Sequence, residues 1–269
     1  MRSRVLVSVI GVPVILVVIF WAPVWVLAIA LALLSAIAAF EMMRCVGVVR
    51  SFGENCVLSN AAVLGAFCAV WVQYQFDEFY TVLLVAYTLL IFAYAVYRAG
   101  AVKFQQIMAA LFSMCALPYA FAAFLRLHDM GLHRAYLLLP LLFSFCSDTG
   151  AFFVGRAFGR HKLAPKVSPH KTVEGALGGL LGNAVGATAF ALVMNVWLNE
   201  RLDYPGLLAL GLICSLIAQL GDLSFSLIKR EFGIKDYGHI FLEHGGVLDR
   251  FDSVVFVAPV LAALLPFLL

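Results

Sequence analysis

Charge is scarce in this chain: Asp, Glu, Lys and Arg make up 12% of the 269 residues against 64% hydrophobic, and the mean hydropathy is +1.01. So little charge excludes a water-soluble globular protein with an ordinary surface. Cysteine motifs are missing too. Cys45, Cys56, Cys68, Cys115, Cys146 and Cys214 are scattered without a Cys-x-x-Cys pair, so neither a zinc site nor a disulfide framework is suggested and they read as small packing residues. No G-x-x-x-x-G-K-[ST] loop, G-x-G-x-x-G turn, H-E-x-x-H helix or G-x-S-x-G elbow occurs, so a bound nucleotide would be held by something other than the common soluble folds. Linkers rich in Gly and Ser, low-complexity tracts and internal repeats are also lacking. Residues 1–269 therefore read as a single membrane domain.

Long apolar runs are abundant. They lie at about Val5 to Phe20, Val24 to Met43, Val57 to Val72, Phe79 to Tyr97, Ile107 to Leu127, Ala135 to Phe158, Val173 to Leu198, Leu207 to Ile228 and Val254 to Leu269. A spanning helix needs about 20 apolar residues. These nine runs predict an all-α, polytopic integral membrane protein, because backbone groups in lipid must be satisfied internally and no strand-period alternation supports a barrel. Arg2 and Arg4 before the first run look like the start of a signal peptide, but the further runs favour an uncleaved span. With the N-terminus in the cytoplasm, only Arg126, Arg134 and Arg201 of the 18 Lys and Arg fall outside. This bias supports nine spans and that orientation.

The charges that do occur are concentrated. Lys229 to Asp252, KREFGIKDYGHIFLEHGGVLDRFD, is a polar island, and Arg156 to Glu174 is a second loop rich in Lys, Arg and His. Residues 1–133 read mainly as scaffold spans. Residues 134–269 read as the catalytic half, with the cytoplasmic loops 156–174 and 229–252.

Asp148 and Asp222 lie inside or at the edge of apolar runs, where an acid is costly and usually faces a protein cavity. Asp222, Asp249 and Asp252 offer hard oxygen ligands suited to magnesium, which takes one or two carboxylates plus substrate phosphates. Asp249 and Asp252 are spaced i, i+3, so a helix starting there puts both on one face. An acidic first turn that favours the helix dipole explains the same spacing. His244-Gly245-Gly246 reads as a bend, or as a backbone that approaches phosphate ahead of a helix start. Lys166 and Lys171 offer phosphate charges, and Ser168 and Thr172 offer hydroxyl donors or a helix cap. Against that stands a plain positive-inside anchor.

Taken together these residues resemble the phosphatidate cytidylyltransferases, or CDP-diacylglycerol synthases. The family's C-terminal pattern, S-x-x-K-R-x(4)-K-D-x-G-x(5)-H-G-G-x-x-D-R-x-D, stands here as Ser226, Lys229-Arg230, Lys235-Asp236, Gly238, His244-Gly245-Gly246, Asp249-Arg250 and Asp252. Asp148-Thr149 through Gly155-Arg156, HKLAPKVSPHKTVEG from His161 to Gly175, and Gly221-Asp222 also look like the family's. The likeness covers about residues 144–258. Leu242-Glu243 stands where the family usually has Pro-Gly, and the D-x-x-D-G pattern of CDP-alcohol phosphotransferases is absent because Ser253 follows Asp252.

The resemblance implies transfer of CMP from CTP to phosphatidic acid, giving CDP-diacylglycerol and pyrophosphate at the cytoplasmic side of the inner (plasma) membrane. It implies catalytic roles for Asp222, Asp249, Asp252 and Lys229, with Mg2+ on Asp222, Asp249 and Asp252 and, ranked lower, on Asp148. Substrate contacts fall to Ser168, Lys171, Thr172, Ser226, Arg230, Lys235, His244, Gly245, Gly246 and Arg250. A second, monovalent cation and a homodimer are compatible with it; nothing calls for nucleic acid. Two rivals fit the residues: a transporter, from the buried acids and the glycine run Gly175 to Ala187, and a low-activity paralogue acting on another lipid phosphate.

Overall fold

The computed structural model describes residues 11, 13–48, 56–200, 202–238, 240 and 245–267. The apolar runs are helices: α1 (Val24–Cys45), α2 (Cys56–Gln75), α3 (Asp77–Tyr97), α4 (Phe104–Asp129), α5 (Leu139–Phe158), α6 (Val173–Leu198), α7 (Tyr204–Glu231) and α8 (Leu248–Leu264). Short 3-10 turns precede α5 (Arg134–Leu138) and follow α8 (Leu265–Phe267). Among the described residues, eight helical segments are long and apolar enough to cross a membrane. The first of the nine expected spans lies only partly within the described residues; residues 13–20 of it are helical. One element was not expected. Residues of the 156–174 loop form an antiparallel hairpin of β1 (Lys162–Ala164) and β2 (Ser168–Thr172), with Lys162 opposite Thr172 and Ala164 opposite Ser168.

The chain divides into two compact units, residues 1–134 with 231–251, and residues 135–230 with 252–269. In the first, α1, α2 and α4 pack on one another through small residues. Ala28, Ala32, Ala38 and Ala39 of α1, Ala62, Ala66 and Ala69 of α2 and Ala110 and Ala123 of α4 are all sealed. Small side chains let helix backbones approach, and that close packing drives association where lipid removes the hydrophobic incentive. By contrast α3 buries only Tyr80, Tyr87 and Ile91. Two of the three cations expected outside have structural partners here. Arg134 donates through Nη1 to the carbonyls of Phe20 (3.2 Å) and Ala22 (2.8 Å), and Arg126 bonds Gln73 Oε1 (2.9 Å) and the Tyr119 carbonyl (2.6 Å).

In the second unit α5 and α6 meet at backbone distance. A Cβ on Gly178 would lie 2.6 Å from the Gly150 carbonyl oxygen, and one on Gly186 2.9 Å from Cys146 Sγ. The glycine run of α6 is therefore a packing surface, which removes one of the two features that favoured a transporter. Gly221 does the same for α7 and α8, since a Cβ there would stand 2.8 Å from the Asp252 carbonyl. That approach puts Asp252 at the contact and Asp222 one residue from it on the neighbouring helix.

Candidate active site

The hairpin is fixed to α6 by its last residue. Thr172 takes the N-cap position, its Oγ1 accepting the Gly175 N–H at 3.1 Å, so it satisfies one of the amides that a helix start leaves open. Glu174, two residues on in the first turn of α6, accepts from the amides of Arg160 (3.0 Å) and His161 (3.2 Å) and meets His161 Nδ1 at 2.6 Å. The connection is held at both ends. Arg230, at the close of α7, donates through Nε to the Val167 carbonyl at 3.3 Å.

This arrangement sets Lys171 against Asp222, with which it forms an ion pair; each side chain is 25% exposed. Ser226, one turn along α7, donates to Asp222 Oδ1 at 3.2 Å. Asp148 of α5 and Asp252 of α8 both lie within electrostatic reach of Asp222, and Lys229 within reach of Asp252. Asp252 Oδ1 accepts the Ser253 N–H at 2.7 Å. Beside these groups opens a cavity of about 450 Å³ whose wall includes Asp148, Arg156, His170, Lys171, Thr172 and Asp222, with Phe152 and Leu163 as its apolar side. Its size falls in the range of small-molecule sites, and its mixed lining suits a ligand with an anionic head.

Asp249, Gly245, Gly246 and Arg250 belong to the other unit. There Asp249 Oδ2 accepts the N–H groups of Tyr237 (2.8 Å) and Gly246 (3.0 Å). Glu41 of α1 accepts those of Val247 (Oε1, 3.0 Å) and Leu248 (Oε2, 2.9 Å). Three amides ahead of or at the start of the last helix, those of Gly246, Val247 and Leu248, are thus bonded by carboxylates of this chain. The helix does begin where the spacing of Asp249 and Asp252 placed it, at Leu248. Lys235 and Arg250 are exposed, Ser168 is half-buried within β2, and Arg230 and Lys229 close α7. His244 and the Leu242-Glu243 departure lie outside the described residues.

Sequence reasoning passed over Glu41, Gln219, Arg156 and His170 as site residues. Glu41 had a signal: it is the sole acid in the run that starts at Val24, and the cost argument applied to Asp148 applies equally there. Gln219, whose Nε2 bonds the Ala176 carbonyl at 3.1 Å and Ser215 Oγ at 3.3 Å, had none.

The model of the cytidylyltransferase family matches residues 2–268. The chain belongs to the cytidylyltransferase family. Curated relatives carry the name phosphatidate cytidylyltransferase. This family member is 40% identical to that of Staphylococcus saprophyticus over 185 residues and to that of Staphylococcus aureus (strain COL) over 186, and 39% identical to that of Staphylococcus haemolyticus over 182. In each case the match covers 68% of this chain and 68% of the relative.

Proposed function

We propose that this cytidylyltransferase is a phosphatidate cytidylyltransferase, forming CDP-diacylglycerol in phospholipid synthesis. The observation that carries the reading is the cavity of the second unit. Cations of the hairpin and α5 (Lys171, Arg156) face carboxylates of α5 and α7 (Asp148, Asp222) beside an apolar wall, within helices able to cross a membrane. In the reaction an oxygen of the lipid phosphate attacks the α-phosphorus of CTP. The bond from that phosphorus to the bridging oxygen breaks, and pyrophosphate leaves with the electron pair. The nucleophile is already anionic, so the site needs positioning and charge neutralisation more than a strong base.

The chain's own groups supply those. Lys171 and Arg156 bind phosphate, and Lys229 offsets charge close to Asp252. Ser226 orients the Asp222 carboxylate, while Thr172 and Glu174 hold Lys171 at the cavity wall. Phe152 and Leu163 exclude water and accept the lipid. The donor chemistry fits magnesium. Among the described residues no set of three or more His, Cys, Asp and Glu side chains is grouped to hold a metal by itself, but magnesium asks for only one or two carboxylates when phosphates complete its shell. Asp222 and Asp252 would hold it, with Asp148 nearby; when bound it neutralises charge building on the pyrophosphate. Asp249 is assigned to shaping the turn before α8, on the two amides it accepts. The cation count of the loops supports a cytoplasmic site in the inner membrane.

The test is direct. Purified protein in detergent, given CTP, Mg2+ and phosphatidic acid, forms CDP-diacylglycerol and pyrophosphate in equal amounts. Wild-type protein that makes neither, or product formation undiminished by Asp222→Asn, overturns the reading. A polyprenyl phosphate offered in place of phosphatidic acid tests the paralogue reading in the same assay.

A further inference from the structure

One carboxylate enclosed in a span has no part in the chemistry above. Glu41 is 2% exposed on α1, with the like-charged Asp249 and the cation Arg44 in its electrostatic reach. A buried anion is tolerated only where donors saturate it, and both its oxygens are engaged by consecutive amides, Val247 and Leu248, at the start of α8. Asp249 takes the amides of Tyr237 and Gly246. Two carboxylates thus grip four amides of the segment that leads into α8. The glycines of that segment answer to the same seat. A Cβ on Gly238 or Gly246 would collide with the Glu41 carboxylate, and Gly245, at φ +82°, would bring a Cβ to 2.8 Å from Asp249 Oδ2.

We propose that Glu41 is a positioning residue for cytidylyl transfer: it seats residues 245–248 on α1 and so fixes the start and register of α8, the helix that carries Asp249, Arg250 and Asp252. The role rests on the reaction proposed above. Each Glu41 oxygen serves one amide, so glutamine would turn an NH2 donor toward one of the two N–H groups. Aspartate keeps the charge but withdraws it by one methylene. Alanine at Gly246 puts a methyl group into the space the carboxylate occupies, and shortening Glu41 reopens that space.

The full chain, purified in detergent, is assayed with CTP, Mg2+ and phosphatidic acid, and amide hydrogen exchange is followed on the same samples. In Glu41→Gln, kcat falls about tenfold or more and the amides of residues 245–249 exchange about tenfold faster, while those of α2 keep their rates. Wild-type kcat in that variant, or unchanged exchange, overturns the proposal. If Glu41→Gln does not accumulate as folded protein, a second pair decides. Gly246→Ala loses activity, and Glu41→Asp in the same chain restores it by about fivefold over Gly246→Ala alone. Losses that merely add, as for two independent destabilisations, overturn it. Wild-type protein that makes no CDP-diacylglycerol refutes the reaction instead, and the exchange comparison still decides whether Glu41 seats the segment.

Discussion

Replacing Lys171 with methionine separates the ion pair it forms with Asp222 from the phosphate contact proposed for it. Without substrate it neutralises Asp222, in an ion pair whose members are each 25% exposed. A fully exposed pair contributes about 0–1 kcal/mol, whereas two charges 4 Å apart at an effective dielectric of about 20 attract by about 4 kcal/mol. A pair this enclosed falls between, at about 2 kcal/mol, roughly a thirtyfold change in an equilibrium constant. Any metal drawn to Asp222 must displace that cation. Asp148 and Asp252, the like charges nearby, add to the attraction once Lys171 is gone. Lys171→Met therefore binds a divalent cation more tightly, by about tenfold or more, in the absence of nucleotide. Its KM for CTP rises by about ten- to a hundredfold, because a charge-assisted phosphate contact of about 1.5–3 kcal/mol is lost. Mn2+ binding read by electron paramagnetic resonance measures the first effect, and initial rates of CDP-diacylglycerol formation measure the second. Lys171→Arg, which keeps the charge, stays close to wild type in Mn2+ affinity. Weaker Mn2+ binding in Lys171→Met, or an unchanged KM for CTP, refutes the exchange of partners.

Further expectations follow from single contacts. Thr172→Ala removes the cap of α6 and lowers stability by about 1 kcal/mol, read as a drop in the melting midpoint in detergent, while Thr172→Ser retains it. Gly178→Ala drives a methyl group into the Gly150 carbonyl and costs about 1–3 kcal/mol or more; Gly65→Ala, whose Cβ would meet side-chain atoms alone, Met114 Cγ at 3.0 Å and Tyr87 Cε2 at 3.2 Å, costs less in the same melt. Asp249→Asn keeps activity within about tenfold of wild type, because both amide bonds go to a single oxygen that asparagine also offers. Asp222→Asn, which removes a proposed cation ligand, loses about a hundredfold or more in kcat. Equal losses in the two variants would return Asp249 to the metal.

The spans were legible because hydropathy is a local sum, and each of the eight described helices overlaps its apolar run. Where the runs stopped was less so. The start of α5 lies at Leu139, behind a 3-10 turn that the apolar count merged into the span. The β1–β2 hairpin escaped notice because its strands are short and polar, and β2 contains Pro169, so no alternation marked them. Thr172 was legible as a hydroxyl at a helix start but not as distinct from a phosphate donor, since the same chemistry serves both. His244-Gly245-Gly246 was legible as a bend that lets an anion approach, but not which anion. The glycines do permit a close approach to an anion, but for Gly246 the anion is Glu41, 205 positions earlier in the chain.

The sequence by itself determined the solvent of this protein, the helical class and which acids were worth watching, because each follows from the composition of one segment. The tertiary structure alone decided the partner of each acid. Asp222 meets Lys171 of the hairpin, Asp249 meets the amide of Gly246 in its own turn and that of Tyr237, and Glu41 meets amides 206 and 207 residues away. Carboxylates carry the same charge wherever they stand, and what distinguishes a ligand from a clamp is the donor that the approach of another helix or loop brings within bonding distance.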